Sequence, residues 1–172
     1  YFYAHYFGFA SGGAVGQVGL VTNPAGKFAV FSVVESNGTT HDLSVPFPWS
    51  ANRFYFPLVY QVGPGLWGAW VYDNEAAAWT QIGVHALPPA WGKLAPASIT
   101  AVAWVGPTAG NCSAYPRADV ADYAPFGFVG GAGSVASATT TGAGVGDCPP
   151  EASVQGPWAH YRTGADAFAP PA

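Results

Sequence analysis

Charged side chains are scarce in this sequence. Of 172 residues only five are Lys or Arg and nine are Asp or Glu, 8% in all, against about 25% in an ordinary soluble domain. Five cations cannot build the phosphate-neutralising stripe that nucleic acid needs, and there is no basic cluster for an anionic lipid surface. Apolar runs such as Tyr1–Ala10 stop far short of the ~20 residues that cross a bilayer, so membrane insertion is not expected. Methionine is absent and the chain starts at Tyr1. That is expected of a processed chain, as after removal of a signal peptide, although simple trimming would look the same.

Cysteine is nearly absent too. Cys112 and Cys148 lie in Gly-, Pro- and Ser-rich stretches, with no neighbouring Cys or clustered His to complete a zinc site. They read as one loop-closing disulfide, worth roughly 3–4 kcal/mol on the chain-entropy model. The alternative is a pair of unrelated buried thiols. A disulfide implies an oxidising compartment, so the expected location is secreted, extracellular or cell-surface. In a eukaryotic secretory pathway the sequons at Asn37 and Asn111 would be glycan acceptors, with Asn37, in an apparent turn, the better of the two; in a bacterium such sequons are usually accidental.

What the sequence has in quantity is aromatic residues and turn formers: seven Trp, nine Tyr, eleven Phe, 23 Gly and 16 Pro. Gly or Pro breaks the chain every ten residues or so, and hydrophobic residues alternate with period two or run continuously, as in strands. Long runs of helix formers are missing. Strands are expected over Tyr1–Ala10, Val15–Thr22, Lys27–Glu35, Thr39–Val45, Arg53–Val62, Trp67–Asp73, Trp79–His85, Ser98–Val105 and Ala118–Tyr123. Asn37-Gly38 marks a tight hairpin, and Pro57 consigns its strand to an edge or breaks it. The Gly130–Gly146 segment reads as a small-residue strand pair or a loose loop. The expected fold is all-β, two packed antiparallel sheets in a sandwich or jelly roll, with a closed barrel as the alternative. One domain over residues 1–165 is followed by an Ala/Pro-rich tail or linker at 166–172.

Five aromatic residues are the leading ligand-binding candidates: Trp67, Trp70, Tyr72, Trp79 and Trp91. A flat ring matches the apolar C–H face of a sugar, and a polar rim fixes orientation. In the strand ending at Asp73, Trp70 and Tyr72 share one face, and Trp67, Ala69 and Val71 the other. Only one face can point into a core. The opposing reading is that Trp simply fills the interior. Asp73 and Asn74, with Glu75, place oxygen ligands in a hairpin loop, suited to sugar hydroxyls or Ca²⁺ but also to ordinary turn chemistry.

Catalytic signals are thin. Glu35 and Asp42 flank a turn and Asp119 and Asp122 share a segment; two carboxyls about 5–10 Å apart would serve a glycosidase, but Asp119 and Asp122 fall on opposite faces of a strand. His5, His41, His85 and His160 are scattered without metal-ligand spacing, and no Gly-x-Ser-x-Gly elbow occurs. No cofactor and no metal are expected.

Three segments carry a resemblance: Tyr6-Phe7-Gly8-Phe9, Gly16-Gln17-Val18-Gly19-Leu20 and Ala29-Val30-Phe31-Ser32-Val33, followed later by Ile82-Gly83 and Cys112-Ser113 with Pro116. Over roughly Tyr1 to Phe128 the chain resembles an uncharacterised family of secreted sandwich domains, domain of unknown function 3472. The resemblance departs from that pattern at the Gly/Ala/Thr segment and the tail. It implies a concanavalin-like sandwich outside the cell, and it supplies no catalytic residues.

Three functions follow in order. The first is a non-catalytic carbohydrate-binding module whose partner is a polysaccharide or other glycan, which predicts a row of coplanar exposed rings on one sheet face. The second is a self-assembling structural subunit, a homo-oligomer or filament. A surface with so little charge is suited to being covered by neighbours, and the strand at Tyr1–Ala10 would add to a neighbour's sheet. The third is a secreted glycan-active enzyme.

Overall fold

The computed structural model describes residues 2–103, 118–129, 132–135 and 151–163. Cys112, Cys148, Asn111 and the tail at 166–172 lie outside the described residues. The chain divides into two compact units, Tyr1–Val105 and Gly106–Ala172, and each is taken by itself.

The first unit holds eight strands: β1 (Phe2–Phe9), β2 (Val15–Asn23), β3 (Gly26–Val34), β4 (Thr40–Pro46), β5 (Tyr55–Gly63), β6 (Leu66–Asp73), β7 (Ala78–Ala86) and β8 (Leu94–Ala103), with a 3₁₀ turn at Pro89–Trp91. They form two antiparallel sheets, one in the order β4-β3-β2-β1-β8 and one in the order β5-β6-β7. The all-β, antiparallel expectation holds, and each expected strand is found within a few residues of its place.

Local chemistry sets the turns. Asn23 Oδ1 accepts from Ala25 N at 2.9 Å, closing the β2–β3 hairpin as Asn side chains do. Asn37 Oδ1 accepts from Thr39 N at 2.8 Å in the β3–β4 turn, with Gly38 at φ +86°. Between β5 and β6, Gly65 takes φ +69°; a Cβ there would meet the Leu87 carbonyl at 2.6 Å. Pro57 sits in β5, an edge strand, where its missing N–H leaves no gap in a central ladder.

The two sheets share one core. Phe7, Phe9, Val18, Ala29, Phe31 and Val33 from the first meet Trp67, Ala69, Val71 and Ile82 from the second. Phe31 is fully buried, 6.4 Å from the ring of Phe7 and 4.7 Å from that of His85. At one end Lys27 donates to the Trp49 carbonyl at 2.8 Å and lies over its ring. β1 runs between β2 and β8 and pairs with both, so Phe2–Phe9 is a central strand of its own chain rather than an arm free to join a neighbour.

The second unit contains β9 (Ala118–Tyr123), β10 (Phe126–Val129), β11 (Ala132–Val135), β12 (Glu151–Gln155) and β13 (Trp158–Thr163). β10 and β11 form a hairpin, and β12-β13-β9 a three-stranded antiparallel sheet. The β12–β13 hairpin has no counterpart in the expected strands. Its turn is Gly156-Pro157, with Gly156 at φ +60°.

Candidate functional site

The register of β5, β6 and β7 builds a grid on the outward face of their sheet. One cross-strand row is Phe56–Tyr72–Trp79, the next is Leu58–Trp70–Gln81, and the third is Tyr60–Gly68–Val84. Side chains directly opposite on antiparallel strands share a face, so these nine positions face outward together. Phe56 is 47% exposed and Trp79 54%, with Tyr72 half-buried between them. The rings touch in series: 6.3 Å from Phe56 to Tyr72 and 5.0 Å from Tyr72 to Trp79, with planes inclined at 42° and 44°. The row is therefore not coplanar as expected. Trp70 lies over the bare backbone of Gly68, where a Cβ would come within 2.2 Å of the indole. Leu58, Tyr60, Leu66 and Val84 are also exposed. No charged residue occupies the grid.

Trp67 and Trp91 do not belong to this face. Trp67 is 5% exposed and Trp91 8%, and both pack edge-on or tilted against Phe9 at 5.5 Å and 5.2 Å. Trp67 alternates with Trp70 along β6 and so must point inward. Trp91 rides on the 3₁₀ turn and covers Gly12, whose Cβ would stand 2.3 Å from the indole.

Asp73 serves the β6–β7 turn: Oδ1 accepts from Glu75 N at 2.9 Å and Ala76 N at 3.1 Å, while Oδ2 lies 3.8 Å from Arg53 Nη1. Arg53 also pairs with Glu75 at 3.1 Å. Asn74 is exposed beside them. This is turn chemistry at the end of the aromatic face, with a polar rim as its consequence.

The paired carboxylates do not assemble into dyads. Glu35 Oε1 is held by His41 Nε2 at 2.7 Å, whereas Asp42 lies on the opposite face of β4 from His41 and pairs in register with Ser32. Asp119 bonds Arg162 at 3.2 Å on the exposed face of β9. Asp122 points the other way, on the same face as the buried Ala118. Burial pushes its carboxyl up to about 6, and its Oδ2 is buried without a hydrogen-bond partner.

The histidines are structural in their contacts. His5 meets Thr100 Oγ1 at 3.2 Å and His85 Nε2 meets the Phe31 carbonyl at 3.2 Å. Burial lowers the pKa of both; for His85 the Phe31 carbonyl and Asp42 act against that trend and His41 with it. His160 is exposed. Among the described residues no group of three His, Cys, Asp or Glu could hold a metal ion, and no helix is long and apolar enough to cross a membrane.

Compared with protein families and with curated proteins, the sequence matches none. Among solved structures it is similar to the crystal structure of aspergilloglutamic peptidase from Aspergillus niger, with a TM-score of 0.55 at 13% identity, covering 96% of this chain and 99% of that one. At this identity the likeness is one of fold.

Proposed function

We propose that this chain is an extracellular, non-catalytic carbohydrate-binding module whose ligand lies on the outward face of β5, β6 and β7. The single observation behind it is the contiguous ring row Phe56–Tyr72–Trp79, flanked by Trp70 and bordered by the amides of Gln81 and Asn74. Rings offer the apolar contact a sugar face needs, while the tyrosine hydroxyls and amides bind hydroxyl edges. A Cys112–Cys148 disulfide, glycan on Asn37 and Asn111 and the resemblance to a concanavalin-like family would belong to the same extracellular reading.

Size favours a small or thread-like ligand over a second copy of the chain. Three strands about 4.8 Å apart, with same-face steps of about 6.7 Å, give a patch on the order of 300–400 Å². A stable protein interface needs about 800 Å² per partner. On this face the small patch therefore favours a glycan over a second copy, and β1 is paired on both sides within its own sheet.

The test is retention on a panel of soluble and insoluble polysaccharides, followed by tryptophan fluorescence, for the wild type and Trp79→Ala. About half of the Trp79 surface is free, roughly 100 Å² of ring; at about 25 cal/mol per Å² its loss costs about 2.5 kcal/mol, roughly 70-fold in affinity. Retention on no member of the panel, or retention that survives Trp79→Ala undiminished, overturns the assignment.

A second reading takes its motive from the peptidase neighbour and from Asp122, a carboxyl that keeps its proton up to about 6. Such a group is suited to donate a proton in acid hydrolysis. Cleavage of a denatured protein near pH 5 that disappears in Asp122→Asn is the outcome this reading requires.

A further inference from the structure

The ring geometry speaks to the kind of glycan. Adjacent strands of a sheet rotate by roughly 20–25°, but the planes of Phe56, Tyr72 and Trp79 diverge by 42° and 44° at successive steps. A flat crystalline polysaccharide face can lie against rings only where they are coplanar. Here a plane laid on one ring leaves its neighbour tilted away by more than 40°. A single chain has no such restriction, because rotation about each glycosidic bond lets successive sugars turn to meet successive rings.

Spacing and charge narrow the class further. The row crosses three strands about 4.8 Å apart, one ring per strand, close to the advance of one pyranose residue along an extended chain. The grid carries no charged side chain, and the nearest charges, Arg53, Asp73 and Glu75, are paired with one another. An anionic glycan would find no cation to meet its carboxylates or sulfates, and would sit beside two carboxylates served by one guanidinium.

We infer that the face takes a single, neutral, extended glycan chain of about three sugar residues running across the strands, one residue on each of Phe56, Tyr72 and Trp79, and that it does not engage crystalline polysaccharide. The inference rests on the carbohydrate-binding reading and specifies its ligand.

The experiment is a length ladder of neutral β-linked oligosaccharides, from two to six residues, titrated against tryptophan fluorescence at low and high salt. Parallel pull-downs use amorphous cellulose, crystalline cellulose and an anionic polysaccharide such as alginate. The expected result has affinity rising at least tenfold from two residues to three and then levelling, no change between the two salt concentrations, and retention on the amorphous but not the crystalline form. Phe56→Ala should lower trimer affinity severalfold while leaving the dimer nearly unchanged, with the far-ultraviolet spectrum of the variant matching wild type. Tighter retention on crystalline cellulose, or preference for alginate with loss of binding in salt, overturns the inference while leaving carbohydrate binding standing. Binding of nothing in either arm overturns both.

Discussion

Asp122→Asn should stabilise the protein at neutral pH and lose that advantage in acid. Asp122 stands on the inward face of β9, opposite the buried Ala159 of β13, and its Oδ2 has no partner. Burial lifts its carboxyl from 3.8 to about 6. The native state therefore holds a proton that the unfolded chain has released, and stability falls as pH rises from about 4 through 6. At about 1.4 kcal/mol per pH unit the full cost above both values is about 3 kcal/mol. Asparagine keeps the shape and removes the charge, but leaves an amide that also lacks a partner, a pH-independent penalty of about 1 kcal/mol. The variant should be about 2 kcal/mol more stable than wild type at pH 7 and roughly half a kcal/mol less stable at pH 4, where part of the wild-type cost is already present. Urea unfolding from pH 4 to pH 7.5, read through Trp158, which stacks edge-on with Tyr123 at 5.0 Å in the same sheet, measures that difference. A difference between the two proteins that stays flat across this range would refute the claim that Asp122 is charged at a cost.

Three further outcomes follow from the first unit. Phe31→Ala removes a fully buried ring at the centre of the shared core and should cost about 3–5 kcal/mol in chemical denaturation. Gly65→Ala must hold a side chain at φ +69° against the Leu87 carbonyl and should lower stability by more than about 1 kcal/mol, read as a drop in melting temperature. His85 is buried and its pKa is lowered by that burial, with His41 and Asp42 as its ionisable neighbours and Glu35 behind His41. The unfolded chain takes up a proton first, so stability should decline as pH falls below about 6.5. His85→Gln, which keeps a donor for the Phe31 carbonyl, should flatten that decline in the urea midpoint between pH 7.5 and 5.

Period-two alternation carried most of the fold. It put Trp67, Ala69 and Val71 on one face of β6 and Trp70 and Tyr72 on the other, and it separated Asp119 from Asp122, because a strand leaves a residue only two faces to choose between; which face of β6 is buried, and hence that Trp67 leaves the candidate set, is seen only in the packed sheets. Pro57 allowed only an edge or a break, because its chemistry forbids a central ladder, and the sheet order shows the edge. Trp91 escaped the same logic. It sits on a three-residue 3₁₀ turn, where no alternation exists to say which way it points, and only the folded chain brings it over Gly12 and Phe9. The β12–β13 hairpin escaped because its strands, Glu151–Gln155 and Trp158–Thr163, are short and mixed, and no run of large alternating residues marks them.

The candidate face shows a sharper limit. Tyr72 and Trp79 belong to one hairpin, and the Asp73 turn between them fixes their pairing locally. Phe56 reaches the row through a different hairpin, whose register depends on the irregularity between Gln61 and Gly63. A slip of one residue there would turn Phe56 into the core and bring Tyr55 or Pro57 outward. Inclusion of Phe56 is thus a property of pairing across the β5–β6 turn and not of any local pattern. The same holds for ring inclination, which depends on the rotamer each side chain adopts on the twisted strands. That is why coplanarity was the natural expectation and inclined rings the result. It is also why the choice between a crystalline surface and a single chain, which turns on those angles, becomes testable only once the strands are paired.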